Sequence, residues 1–410
     1  MLILTYILIL QSITSIDTTR HTDKKLVFVQ GIWRHGDRTP QSRYKTQSIK
    51  DEDWKKLVFE GYGIQEGIYG QLTQTGFHQH QHLGKLLRHR YITTIYPNFL
   101  PSTYNTTVIN IISTNKNRTV FSAMANLQGM YQPTDNINIK VIDNYEMDCV
   151  NNMQCKCARR SMLQREAQKR EVYQDVITDK KFVKLITLVR NKTQTETTDK
   201  NMWKIYDNYN CEKIHFGAQK LNWSDLEPYH RMFNMFTSGI YHPSDHITDN
   251  IQHIRIWPIM SAIMARAEQH DKNPDLKYHV YSSHDMTIFS ILTAFGLEDK
   301  AGEKYGDWPE YAASLFFEFF VDKDGEKFFK LIYRKNATAN FENMTKYIKN
   351  CDEHFCPMSV LITKTMKHRL DKSITETCQD IHLEMNNAQS GSKYVFFPFA
   401  ILFYIFYCIY

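Results

Sequence analysis

The sequence predicts an α/β protein: a three-layer sandwich with a largely parallel sheet and a mostly helical insertion. Three observations carry that prediction. Apolar strand segments alternate with segments of helical period, the pattern of a doubly wound sheet covered on both faces. The chain has 410 residues, 42% hydrophobic and 13% aromatic, enough for one large core with an inserted unit. Residues 135–255 break the alternation, being polar, rich in Lys, Asn and Tyr, and helical in pattern.

Residues 25–33, KLVFVQGIW, read as a mostly buried strand. Over 70–91, Leu72, Leu83, Leu86, Leu87 and Tyr91 recur at roughly helical spacing, with Thr73 placed as N-cap. TVINIIST, Thr107 to Thr114, is rich in β-branched residues and predicts a second strand. From Thr119 the apolar positions Val120, Met124, Leu127 and Tyr131 mark one helix face. After the inserted stretch, residues 258–270 predict a helix with Pro258 near its first turn. YHVYSS, Tyr278 to Ser283, is a third strand and runs into a buried helix, MTIFSILTAF. Late in the chain LFFEFFV and KFFKLIY flank DKDG, an antiparallel hairpin with Asp324-Gly325 in the turn. The expected division is 24–134 and 256–385 for the two parts of the α/β core, with 135–255 as a helical cap.

Both ends resemble targeting segments. Residues 1–16, opening on MLILTYILIL, read as a signal peptide, with a buried first strand as the competing reading. Tyr394 to Tyr410 is an uncharged apolar run, short for a spanning helix of ~20 residues. Small residues precede it (Asn387, Ala388, Ser390, Gly391, Ser392), which fits a cleaved lipid-anchor signal as well as a short membrane anchor. N-x-S/T sites at Asn105, Asn117, Asn191, Asn222, Asn336 and Asn343 fit a secretory route. Cysteine usage agrees: Cys149, Cys155, Cys157, Cys211, Cys351, Cys356 and Cys378 lie outside the tail, and Cys408 within it. Seven is odd, so at least one thiol stays free or pairs between chains. Cys155-x-Cys157 lacks a second spaced pair, which favours disulfides over a metal site. The expected location is the extracellular surface or the lysosomal membrane, with anchoring through the C-terminal tail; a homodimer is compatible with all of this. The net charge of +6 is spread along the chain with no basic stripe, which argues against a nucleic-acid partner.

Three strand-to-helix junctions carry the polar chemistry. They are Arg34-His35-Gly36-Asp37-Arg38-Thr39-Pro40; STNKNRT, Ser113 to Thr119; and SSHD, Ser282 to Asp285. In a doubly wound sheet such junctions converge outside the carboxyl ends of the strands. Arg34, Arg38 and Arg118 offer planar fork donors suited to phosphate, and His35 and His284 offer imidazoles. A neutral histidine can attack phosphorus, and a neighbouring acid such as Asp285 can protonate the leaving oxygen. Trp33 reads either as the last core residue of its strand or as pocket wall.

The RHGDRTP stretch resembles the signature of the histidine acid phosphatases. GQLTQTG (Gly70 to Gly76), STNKNRT, Ser283-His284-Asp285 and YNCEKIHF around Cys211 resemble further segments of that family, over about residues 25 to 380. The resemblance is closest to the animal prostatic and lysosomal acid phosphatases. It implies a phosphomonoester substrate, His35 as the nucleophile that becomes phosphorylated, and Arg34, Arg38, Arg118 and His284 as phosphate-binding residues. Asp285 is implied as proton donor, and no metal or cofactor is implied. Asp37 is implied to be structural, bracing His35 or a neighbouring arginine. A glycan on Asn117 would block such a site, so Asn117 is expected to be unmodified. The resemblance also implies a Cys351–Cys356 bridge and a partner for Cys378 at Cys157 or Cys149. It leaves Cys211 free or differently paired, since its usual partner is missing near Ala313-Ser314. Alternatives are a specialised inositol-phosphate or lysophospholipid phosphatase of the same family, or a catalytically weak surface-binding glycoprotein.

Overall fold

The structure is a computed structural model, and it describes residues 24–60, 67–132, 137, 139–142, 157–198, 201–217, 246–301 and 309–381. The N-terminal segment, the apolar tail, Cys149, Cys155, Cys408 and Asn222 lie outside these residues. In chain order the elements are β1 (Lys24–Arg34), α1 (Asp51–Lys55), α2 (Gln74–Arg88), β2 (Ile109–Thr114), α3 (Asn117–Tyr131) and β3 (Lys140–Ile142). Then come α4 (Ala158–Gln168), α5 (Glu171–Thr178), α6 (Lys180–Thr193), α7 (Met202–Phe216), α8 (His246–Gln269), β4 (Tyr278–Ser283) and α9 (Asp285–Phe295). The chain closes with β5 (Ser314–Asp322), β6 (Lys327–Arg334), β7 (Glu342–Asn343), β8 (Cys356–Pro357), α10 (Met358–Met366) and α11 (Ile374–Gln379).

The strands form one sheet in the order β3-β2-β4-β1-β5-β6-β7, with β8 also on β6. Parallel pairing holds from β3 to β1, the half that carries the three junctions. From β1 onward the pairing is antiparallel, because β5 and β6 are the expected hairpin and need no crossover. Gly325, at φ +83°, makes its turn. Both faces are covered, which is why the strands are apolar throughout. Leu315, Phe317 and Phe319 of β5 pack with Ile259 and Ile263 of α8, Ile288 and Leu292 of α9 and Leu361 of α10. Phe316 and Phe320 point the other way, onto Leu83 and Leu87 of α2 and Leu127 of α3. A bulge in β1 between Leu26 and Phe28 shifts the alternation, so Leu26 shares a face with Val29 and Trp33.

Two elements differ from expectation. Helix α8 begins at His246, not 258, and Pro258 lies inside it. Ile251 and Ile254 are buried against α4 and α11, so tertiary burial extends the helix upstream through a proline that costs only one backbone donor. A short edge strand, β3, lies within the stretch expected to be helical; at three residues it carries too little alternation to be read.

Candidate active site

Register places the polar junctions at one edge of the sheet. Arg34 lies beside Ser283 on parallel β4, and Ser282 lies beside Ser113 on parallel β2. β5 runs the other way, with Ser314 beside Trp33, so the turn before it, containing Tyr311, reaches the same edge. Helices α3 and α9 both begin there, presenting the positive ends of their dipoles.

His35 is buried, and its Nδ1 lies 2.8 Å from the Gly36 carbonyl oxygen. A carbonyl only accepts, so Nδ1 carries the proton and Nε2 keeps its lone pair. The His284 ring stands edge-on to it at 5.5 Å between centroids. His284 Nε2 is 3.2 Å from Thr114 Oγ1. Burial, and then the charges of Arg118, Arg34, His284 and Arg38, hold His35 well below the usual histidine pKa. His284 is lowered by burial and by Arg118, Arg34, Arg38 and Lys116.

The arginines have different partners. Arg34 donates from Nη1 to the Pro309 carbonyl at 2.8 Å, and its Nη2 lies 3.2 Å from Asp285 Oδ2. Its guanidinium sits 4.3 Å above the Tyr311 ring. Arg118 donates to the Gly70 carbonyl at 3.3 Å. Gly70 takes φ +72°, a left-handed conformation that aims that carbonyl and disfavours any side chain. Burial lowers Arg118 to about 10, still charged at working pH. The Nε groups of Arg34, Arg38 and Arg118 are buried and find no hydrogen-bond acceptor among the described residues. Three buried charged donors in that condition are costly unless an anion meets them.

Comparison with known proteins fits this geometry. Residues 25–334 match the description of the histidine phosphatase superfamily, branch 2. The chain belongs to that superfamily. "Putative acid phosphatase 10" of Caenorhabditis elegans is 27% identical over 399 residues, spanning 85% of this chain and 91% of that protein. "Lysosomal acid phosphatase" of Homo sapiens is 26% identical over 334 residues, spanning 77% of this chain and 72% of that one. The apo form of Hafnia alvei phytase shares the fold at a TM-score of 0.61, 14% identity, covering 88% of this chain and 99% of that one. This histidine phosphatase is thus an enzyme of the phosphatase class, on a mixed α/β fold.

The loop that presents His35 in this phosphatase is held from behind. Trp33 is a core residue: fully buried, it donates from Nε1 to Ser282 Oγ at 2.8 Å. His80 Nε2 meets the Arg34 carbonyl at 2.9 Å, and Ser122 Oγ accepts from Gly36 N while donating to the Arg118 carbonyl. Asp37 braces neither His35 nor an arginine. It accepts from Thr73 Oγ1, the N-cap of α2, and its Oδ2 lies 2.9 Å from His215 Nε2. A Cβ on Gly36 would come 2.3 Å from the Gly76 carbonyl oxygen at the start of α2, a backbone atom that cannot swing away. Gly36→Ala is therefore expected to displace the loop and lower kcat/KM on an aryl phosphate by about 1.4–4 kcal/mol, tenfold to a thousandfold; near-native kinetics would show that the loop tolerates the shift.

The sequence does not single out Asp207 and Tyr311, and it gives Gly70 and His215 no role beyond their places in GQLTQTG and YNCEKIHF. Arg38, expected to face phosphate, forks its Nη1 and Nη2 onto Asp207 at 3.1 and 2.7 Å, and Nη1 also bonds the Thr39 carbonyl, while its buried Nε stays outside these contacts. Asp207, Cys211 and His215 stand at i, i+4 and i+8 on one face of α7, and that spacing is the signal available in the sequence. Of the bridges, Cys351–Cys356 forms as expected, and Cys378 pairs with Cys157. Cys211 is free and buried, its thiol 3.7 Å from the Tyr311 hydroxyl.

Proposed function

We propose that the chain is an acid phosphatase hydrolysing orthophosphoric monoesters through a covalent phosphohistidine. The observation that supports this most is the set of three buried, acceptor-less arginine Nε donors beside a neutral His35 whose Nε2 holds a free lone pair. In the first step a bond forms from His35 Nε2 to phosphorus as the ester P–O bond breaks, and Asp285 gives its proton to the leaving oxygen. In the second, water attacks phosphorus, Asp285 takes its proton, and the P–N bond breaks to release inorganic phosphate and the imidazole. Arg34, Arg38, Arg118 and His284 hold the phosphoryl oxygens and stabilise the charge that spreads over them in the transition state. The relatives named acid phosphatases support this reading; the phytase likeness supports the fold.

The same proposal takes 1–16 as a signal peptide and 394–410 as an anchor or anchor signal of a secretory or lysosomal glycoprotein. Among the described residues no helix is long and apolar enough to cross a membrane. The division into a core (24–134 and 256–385) and a helical cap (135–255) is part of the proposal. The helices α4 to α7 between β3 and β4, the two disulfides, and the human lysosomal relative support it.

The test is phosphate release by the purified protein from sugar, nucleotide, phosphotyrosine, lipid and inositol phosphates; no release from any of them would leave the weak-binder alternative standing. The pH profile has a defined sign. A histidine lowered below about 6.5 stays neutral, and so nucleophilic, as pH falls through that value. The acid limb of kcat/KM is therefore expected below the pKa of free histidine, with the maximum below neutrality because Asp285 must carry a proton to donate one. A limb falling with unit slope at or above pH ~6.5 would show that His35 titrates normally and sink the assignment.

A further inference from the structure

The charges around the phosphate site do not match a doubly charged ligand. Arg34 faces Asp285, and Arg38 is forked onto Asp207, which is partly buried and also accepts from Gln41 N at 2.8 Å. The Arg118 guanidinium bonds only the Gly70 backbone carbonyl among the described partners. His35 and His284 are held neutral. At the margins stand Lys116, next to His284, and Asp37, which lies against His215 and Thr73. Tyr311 and Cys211 complete the wall around Arg38, both held protonated by burial. Three guanidinium groups against two carboxylates, Asp207 and Asp285, leave one uncompensated positive charge, and Lys116 and Asp37 offset each other.

We infer that Asp207 is a positioning residue for Arg38 that also cancels its charge, so that the site selects the singly charged form of a phosphoryl group. The inference rests on the reading of Arg38 as a phosphate-binding residue. Its geometric basis is a helix face: Asp207 takes the Arg38 guanidinium, Cys211 Sγ lies 3.6 Å from the Arg38 carbonyl, and His215 reaches Asp37. One face of α7 thus fixes two consecutive residues of the loop that presents His35. With Nη1 and Nη2 both turned onto the Asp207 carboxylate, Arg38 offers phosphate its orientation, its Nε–H and one Nη2–H, but little net charge. The singly charged phosphomonoester brings with it one proton, which passes to the Asp285 carboxylate and from there to the leaving oxygen, so the carboxylate of this charge count and the proton donor of the reaction are the same residue in successive steps.

The experiment measures inhibition by inorganic phosphate between about pH 5 and 8, a range spanning the second ionisation of a phosphate group. It compares the full-length wild type with Asp207→Asn, Arg38→Gln and the double variant. The wild-type affinity should fall about tenfold per pH unit above that ionisation, as linkage requires of a site that takes only the monoanion. Asp207→Asn keeps one acceptor for Arg38 but adds a positive charge, so its slope should be clearly shallower. Arg38→Gln should bind phosphate more weakly with the wild-type slope. The double variant restores the charge balance, and should bind more tightly than Arg38→Gln while keeping that slope. A wild-type slope in Asp207→Asn overturns the inference. So does a double variant no tighter than Arg38→Gln, a comparison that stands even where Asp207→Asn alone does not fold. If Arg38→Gln leaves KM, kcat and phosphate inhibition unchanged, the reading of Arg38 falls instead.

Discussion

Replacing His35 by alanine is expected to lower kcat by about 10^4-fold or more, the range seen when a covalent nucleophile is removed. The protein should stay folded. Among the described residues the His35 side chain makes one hydrogen bond, to the carbonyl of the adjacent Gly36, and the loop around it is carried by Trp33, His80, Ser122 and Thr73 instead. Losing that bond and some burial costs about 1–3 kcal/mol, a shift of a few degrees in Tm for a chain of this size. Phosphate binding should survive, because the arginine donors do not depend on the imidazole. Burial and three flanking arginines keep the ring neutral, and the Gly36 carbonyl fixes which nitrogen is free, so no other side chain at the site offers an equivalent lone pair. His284 is the nearest rival, but its Nε2 is engaged with Thr114 Oγ1. Rapid-quench labelling with a radioactive aryl phosphate checks the claim: the wild type should yield an acid-labile phosphoenzyme and the variant none. An alanine variant that turns over at the wild-type rate, or labels equally, would move the nucleophile elsewhere.

The parts of the site legible in the sequence share a physical cause. A buried strand must be apolar, so Arg34-His35, the NKNRT run with Arg118, and His284-Asp285 stand out where KLVFVQGIW, TVINIIST and YHVYSS stop. Parallel pairing then brings these ends together without further information. The remainder depends on contacts between distant segments. Asp207 meets Arg38 across 169 positions, and only its i, i+4, i+8 spacing with Cys211 and His215 sets an inward carboxylate apart from a solvated one. The partner of Asp37 is hidden for the same reason: the pattern marks Thr73 as an N-cap, but gives no sign that its hydroxyl also serves the loop presenting His35. Pro258 misplaced the start of α8 because proline favours a first turn when only sequence is weighed, whereas Ile251 and Ile254 find buried sites upstream.

Asp285→Asn carries the second large effect, and its size should depend on the leaving group. Asparagine keeps the shape and still offers Arg34 Nη2 an acceptor, but it has no proton to give. Alkyl phosphates, whose alkoxide must be protonated as it departs, should lose about 10^2–10^4-fold in kcat/KM. A nitrophenyl phosphate, whose phenolate leaves without help, should lose far less in this first step. KM should hold or fall, because the variant leaves the Arg34 charge uncompensated. The second step needs the same residue as a base for water, so breakdown of the phosphoenzyme should become limiting. Nitrophenolate should then appear in a burst stoichiometric with enzyme, followed by a slow steady state. Equal losses on alkyl and aryl esters, with no burst, would mean that Asp285 acts only by orienting Arg34. The proton would then have to come from the singly charged phosphoryl group itself.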